Sequence, residues 1–166
     1  PLNVQGLRMA PLADTVAGEA TRLRAAGAQV VILAAHAGGG CDNFADPTDL
    51  SSCDPNAEIF ELARALPPAH VDAIVAGHTH AGLAHEVAGI PIVQSYWGGR
   101  SFGRIDLTVD HETGRVVAAR PFAPRDICLT TEAATTACAA ENARDRKPAA
   151  YEGQPVVEDA GILDAM

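Results

Sequence analysis

Three histidines in this chain stand in settings that suit metal binding. His78 and His80 belong to Gly77-His78-Thr79-His80, directly after the apolar run Val71-Asp72-Ala73-Ile74-Val75-Ala76. That run has the length and β-branched content of a buried strand. Gly77 lets the backbone turn sharply, or lie close to another group, where the strand ends. If extended geometry continues through the motif, side chains repeat every two residues and both imidazoles project to one side. A second strand, Val30-Val31-Ile32-Leu33-Ala34-Ala35, also leads into a histidine, His36, followed by Ala37-Gly38. Two parallel strands that each deliver an imidazole at the C-terminal end meet where open α/β sheets place their ligands. An isolated His-x-His reads as two solvated surface residues; a histidine at the end of a second strand turns the reading toward a metal site. His36, His78 and His80 are therefore expected to cluster at one edge of two neighbouring parallel strands.

The elements that would position them follow from periodicity. From Asp14 a helical pattern places Val16, Ala20 and Leu23 on one face and ends at Gly27. A strand follows over residues 29–35. Asp54-Pro55 reads as the start of a second helix with Ile59, Leu62, Ala63 and Leu66 as its buried stripe, closed by Pro67-Pro68. The order helix, strand, histidine thus occurs twice, which predicts an α/β fold with a parallel sheet. Beyond His80 the pattern changes to antiparallel strands. Leu83–Val87 and Ile90–Ser95 form a hairpin at Ala88-Gly89, and Ser95–Gly103 is a glycine-rich loop bearing Trp97 and Arg100. Arg104–Val109 alternates cleanly, turns at His111–Gly114 and returns over Arg115–Ala119. Val4–Leu7 has the look of a short edge strand. The alanine-rich stretch Thr130–Pro148 predicts a polar, exposed helix, and Tyr151–Met166 a linker.

Composition narrows the function classes. Apolar residues make up 48% of 166, which is globular in character. The net charge of −9, from 12 basic and 21 acidic residues, argues against a nucleic-acid partner. No apolar run approaches the ~20 residues needed to span a bilayer. Cys41, Cys53, Cys128 and Cys138 form no Cys-x-x-Cys pair, so a zinc knuckle or thioredoxin-type site is disfavoured. Each near pair brackets a polar or alanine-rich loop, which reads as disulfides Cys41–Cys53 and Cys128–Cys138, although four cysteines permit three connectivities and reduced thiols are the alternative. The disulfide reading favours an oxidising compartment, periplasmic or secreted. Asp42, Asp46 and Asp49 lack the spacing of a calcium loop and read as loop-capping side chains.

Ala34–Gly39 (AAHAGG), Asp72–His80 (DAIVAGHTH), Gly89–Ser95 (GIPIVQS) and Phe102–Val116 (FGRIDLTVDHETGRV) together resemble the second half of a calcineurin-like metallophosphoesterase domain, closest in flavour to the 5′-nucleotidase family. The resemblance implies a partial αβ sandwich and phosphoester hydrolysis at two divalent ions about 3.5–4 Å apart. Zinc, manganese and iron all suit imidazole ligands. It implies that His36 and His78 hold one ion and His80 the other, with a phosphate ester such as a nucleotide as substrate. Arg100 and His85 are then candidates for the substrate rim. The family's Asp-x-His, Gly-Asp and Gly-Asn-His do not occur here. On this reading residues 1–150 form the second half of the domain, residues 151–166 lead to a further domain, and the first half is a missing partner. At most one metal is expected in the chain alone. Two alternatives stand beside it: a related thiosulfohydrolase-type enzyme fragment, and a non-catalytic metal- or partner-binding module.

Overall fold

The computed structural model describes residues 6–132, 137–140 and 143–164. They fall into two compact units: the chain up to Tyr96 with Gly103–Pro124, and Trp97–Phe102 with the chain from Arg125 onward. Helices and strands are mixed, as in an α/β class.

In the first unit, helix α1 (Leu12–Ala25) leads to strand β1 (Ile32–Ala34), and helix α2 (Glu58–Ala65) to strand β2 (Ala73–Val75). The α1 pattern buries Ala20 and half-buries Val16 and Leu23, and Gly27 takes a φ of 95° just past the helix end. Neither helix begins at the aspartate that the sequence offers. The α1 N-cap is Pro11, and Asp14 lies within the first turn. Asp54 instead accepts from the Asn56 amide, a local turn that delays α2 until Glu58. The expected stripe of Ile59, Leu62, Ala63 and Leu66 is buried, with Phe60 beside it.

Strands β3 (Gly82–Val87) and β4 (Ile90–Ser95) form the expected hairpin, with Ala88 and Gly89 both at positive φ. The four strands make one mixed sheet in the order β1-β2-β4-β3. β2 pairs in parallel with β1 on one side and with β4 on the other. One face of this sheet carries Ile74 and Ile92, both without exposure, against the core that α2 completes. On the opposite face Ile32 is 57% and Val75 48% exposed. β5 (Ser101–Val109) and β6 (Val116–Asp126) form a separate two-stranded sheet.

Arg24, at the end of α1, sets the start of the parallel pair. Its guanidinium binds the Asp72 carboxylate and the Ala69 carbonyl oxygen, and Asp72 Oδ2 also accepts from the Val31 amide at 2.7 Å. The half-buried Asp72 side chain therefore ties β1 to β2 where both begin.

In the second unit, the helix expected over Thr130–Pro148 is replaced at both ends by strands. β7 (Thr130–Glu132) pairs antiparallel with β8 (Arg146–Pro148), and Thr131 forms a bridge with Cys138. Residues 133–136 and 141–142 of that stretch lie outside the described residues, as do Val4 and Gln5 of the edge strand expected at Val4–Leu7. β9 (Ala150–Tyr151) and β10 (Gln154–Pro155) make a small hairpin, and Asp159 caps the single turn α3 (Ala160–Leu163). Cys128 is bonded to Cys138 here, and Cys41 to Cys53 in the first unit. No helix among the described residues is long and apolar enough to cross a membrane.

His85, on β3, has no exposed surface. Burial pushes its imidazole below the ordinary histidine range, opposed in part by the Asn43 backbone and the Asp49 and Asp46 carboxylates. The unfolded chain therefore takes up this proton more readily than the folded one. Stability from a neutral buried histidine is complete above the unfolded value of about 6.5 and falls as pH drops below it. Urea unfolding should show that decline, with His85 contributing at most about 1.4 kcal/mol per pH unit. His85→Leu should flatten the slope by up to that amount; a slope unchanged in the variant contradicts the assignment.

Candidate metal site

β1 and β2 end side by side, and each is followed by a histidine-bearing loop. His36 and His78 emerge from these loops with His36 Nε2 and His78 Nδ1 3.1 Å apart and their ring planes inclined by 60°. Both residues are exposed. The separation fits a shared ion. With metal–nitrogen distances of about 2.0–2.1 Å, two nitrogens this far apart subtend about 100° at the metal, close to the tetrahedral value.

The two loops are held together without side-chain bulk. An added Cβ on Gly38 would lie 2.3 Å from the Gly77 carbonyl oxygen and 2.6 Å from Thr79 Oγ1. Only glycine permits that approach. Across the contact, the Thr79 hydroxyl donates to the Gly39 carbonyl at 2.6 Å and accepts from Gln94 Nε2 at 2.8 Å. The Gln94 amide nitrogen also donates to the carbonyls of Ala81 and Gly39. Gln94 is buried at the end of β4 and leaves its Oε1 without a partner. One side chain thus fastens both histidine loops to the central sheet. The Gly77 amide donating to the Ala37 carbonyl adds a backbone link.

His80 does not extend the pair in the way expected of an extended strand. His78 has a φ of 84° and His80 a φ of 57°, so the alternation that would align their imidazoles is broken. Tyr96, just past β4, is also left-handed at 54°. Such conformations are costly for side-chain-bearing residues, by about 1–3 kcal/mol, and concentrate where function fixes the backbone. Among the described residues, no third His, Cys, Asp or Glu brings a ligand atom within 4.8 Å of both His36 and His78. The pair fits one ion's partial coordination. It does not fit a binuclear centre, for which a bridging carboxylate is absent among the described residues.

The other candidates are placed elsewhere. His85, on β3 of the hairpin, has no exposed surface and faces Phe44 and the Cys41–Cys53 disulfide, so it does not line an open substrate rim. Arg100 belongs to the second unit, where its guanidinium stacks 4.4 Å above the Trp97 ring. Asp46 accepts from the amide and hydroxyl of Thr48, and Asp49 from the Ser51 amide, which accounts for loop order without calcium. Both carboxylates are held below their usual range, Asp46 chiefly by the Thr48 amide and Asp49 by the Ser51 hydroxyl. The residues that periodicity missed are Gly38 as a contact point and Gln94. The signal for Gln94 was a lone amide ending the apolar run Ile90–Val93.

Compared with known protein families and with curated protein sequences, the chain matches none.

The close approach at Gly38 gives a direct test. Gly38→Ala should destabilise the protein by about 1–3 kcal/mol through overpacking. Gly18→Ala, on α1 with nothing within 4 Å of the new Cβ, should instead stabilise by up to about 1 kcal/mol. Urea midpoints of the two variants read the difference, and equal midpoints contradict the packing described.

Proposed function

We infer that this chain supplies part of the metal site of a calcineurin-like metallophosphoesterase of 5′-nucleotidase type, working on a small phosphate ester. The observation that carries the reading is the His36–His78 pair, 3.1 Å apart on loops that follow neighbouring parallel strands. The motifs around that pair are those in which the sequence resembles the family. His36 and His78 would hold one ion; when bound, such an ion polarises a phosphoryl oxygen and acidifies its water.

The chain's own residues do the positioning. Gly38, Thr79 and Gln94 fix the two imidazoles before any ligand arrives, which limits the ordering cost of binding. His80 stands beyond His78 on the same loop as the residue for a second ion. The carboxylate between the ions and the remaining ligands would come from the missing first half. Exposed Ile32 and Val75 support a partner there, because they present an apolar strip on the sheet opposite the helix-covered face. The disulfides support a periplasmic or secreted setting. The family's αβ sandwich would be completed by the same partner.

A second reading, a non-catalytic metal-binding module, is favoured by one observation: among the described residues only two ligand groups converge. The deciding experiment measures hydrolysis of p-nitrophenyl phosphate and AMP with added zinc or manganese. It compares the 166-residue chain alone with the chain plus the polypeptide encoded directly upstream of Pro1. The phosphoesterase reading expects near-background turnover alone and metal-dependent turnover for the combination. His78→Ala should then reduce turnover by about 100-fold or more. Robust turnover by the chain alone contradicts the divided site, and none in the combination assigns the chain to the binding-module class.

A further inference from the structure

We propose that Cys41, Cys53 and His85 form a second, redox-gated metal site, which takes zinc when the Cys41–Cys53 disulfide is reduced and releases it when the disulfide re-forms. The site shares no residue with the His36–His78 pair and does not depend on the phosphoesterase reading.

The first observation is convergence. The two sulfur atoms and a ring nitrogen of His85 all lie within 4.8 Å of one another. The second is an imidazole that is only weakly held. His85 has no exposed surface, and its Nε2 has no partner at ordinary hydrogen-bond geometry. Nδ1 receives a long bond of 3.4 Å from the Ala84 amide, and beyond these the Asn43 backbone acts on the ring from the Cys41–Cys53 loop. A buried polar atom normally has a partner, so an unpaired one beside two sulfurs calls for an explanation. Burial also keeps the ring neutral, the form that ligates metal.

The geometry needs little movement. Zinc holds thiolate sulfur at about 2.3 Å and imidazole nitrogen at about 2.0–2.1 Å. Tetrahedral sulfurs are therefore about 3.8 Å apart, so the ligands must part from bonding distance while the nitrogen stays near its present range. Cys41 and Cys53 face each other across an isolated antiparallel bridge, which keeps both side chains adjacent after the S–S bond is cut. The loop between them has its own fastenings. The Glu86 amide donates to the Pro47 carbonyl at 2.7 Å, and the Asp42 amide to the Ser52 carbonyl at 3.3 Å. Asn43, Asp46 and Asp49 each accept from an amide two residues on. Reduction therefore frees the thiols without removing what shapes the loop. The fourth coordination position falls to water.

The redox step balances with a small dithiol as the reductant. One of its thiolates attacks Cys53, the more exposed partner, and Cys41 leaves as thiolate. The second thiol displaces Cys53, giving the reductant's cyclic disulfide and two protein thiols. Zinc binding releases both thiol protons to solvent, while His85 donates its lone pair without changing charge. On reoxidation by a small disulfide, the two thiolates give up two electrons, the S–S bond forms, and the zinc ion leaves unreduced.

The test uses the full chain with Cys128→Ser and Cys138→Ser, so that one disulfide remains. Cobalt(II) is titrated into oxidised and dithiol-reduced protein, and the near-ultraviolet sulfur-to-cobalt charge-transfer band is followed, with zinc as competitor. The band should be absent from the oxidised protein, saturate at one equivalent in the reduced protein and be abolished by zinc. The band should vanish when Cys41→Ser and Cys53→Ser are added, and His85→Asn should weaken binding about tenfold or more. No band in the reduced protein overturns the proposal, as does undiminished affinity in a folded His85→Asn variant. Should that variant not fold, zinc-edge X-ray absorption on reduced protein carrying His78→Ala decides. Two sulfurs and an imidazole uphold the site, and a shell lacking either overturns it.

Discussion

The arrangement depends on one contact: the backbone at Gly38 lies so close to the Gly77 carbonyl that no side chain fits between them. Everything specific about the candidate site follows from it. The contact brings together loops from two different αβ units, and the Thr79 hydroxyl bridges them to Gly39. Gln94 extends that bridge into the sheet, so the histidine loops inherit the rigidity of strand β4. Exposed imidazoles on long loops would otherwise sample many separations. Here they meet at hydrogen-bond distance because their backbones have no freedom to part.

The parallel strands are secured at both ends by different physics. At their start, an ion pair between Arg24 and Asp72 also captures the Val31 amide, so charge and backbone hydrogen bonding act together. At their finish, the ties are neutral amide and hydroxyl groups, which leaves the histidines as the ligand-bearing groups on those loops. Between the two ends, Ile74 of β2 and Ile92 of β4 share one buried core with α2, whose buried face includes Ile59, Phe60 and Leu62. A site placed at the C-terminal edge of such strands needs no helix dipole or charged neighbour to orient it.

Periodicity made the repeated helix-strand order and the Ala88-Gly89 hairpin legible, because both depend on local patterns that tertiary packing reinforces. The strands themselves proved shorter than their apolar runs, since β1 and β2 pair over three residues each before the chain turns toward the site. Alanine content misled at Thr130–Pro148. Helix propensity is a weak prior, and pairing of Thr130–Glu132 with Arg146–Pro148 outweighed it, with Cys138 tied back to Cys128. His36 and His78 could be read from strand endings, whereas the left-handed backbone at His78 and His80 could not. A positive φ at a non-glycine residue is set by its surroundings, and here Gly38 lies against Gly77 and Thr79 on either side of His78. His85 was misplaced for a related reason: strand alternation says which face a residue occupies, not whether another loop covers that face.

The central claim is that His36 and His78 act as one metal-binding pair fixed by this packing. Zinc titration of protein labelled with nitrogen-15 at its histidine rings tests it most directly. The account predicts that His36 and His78 ring resonances change together, in parallel and saturating at one equivalent. The nitrogens perturbed should be His36 Nε2 and His78 Nδ1, the two that face each other at 3.1 Å. Independent titration of the two rings, or no change in either while zinc binds elsewhere, would contradict it.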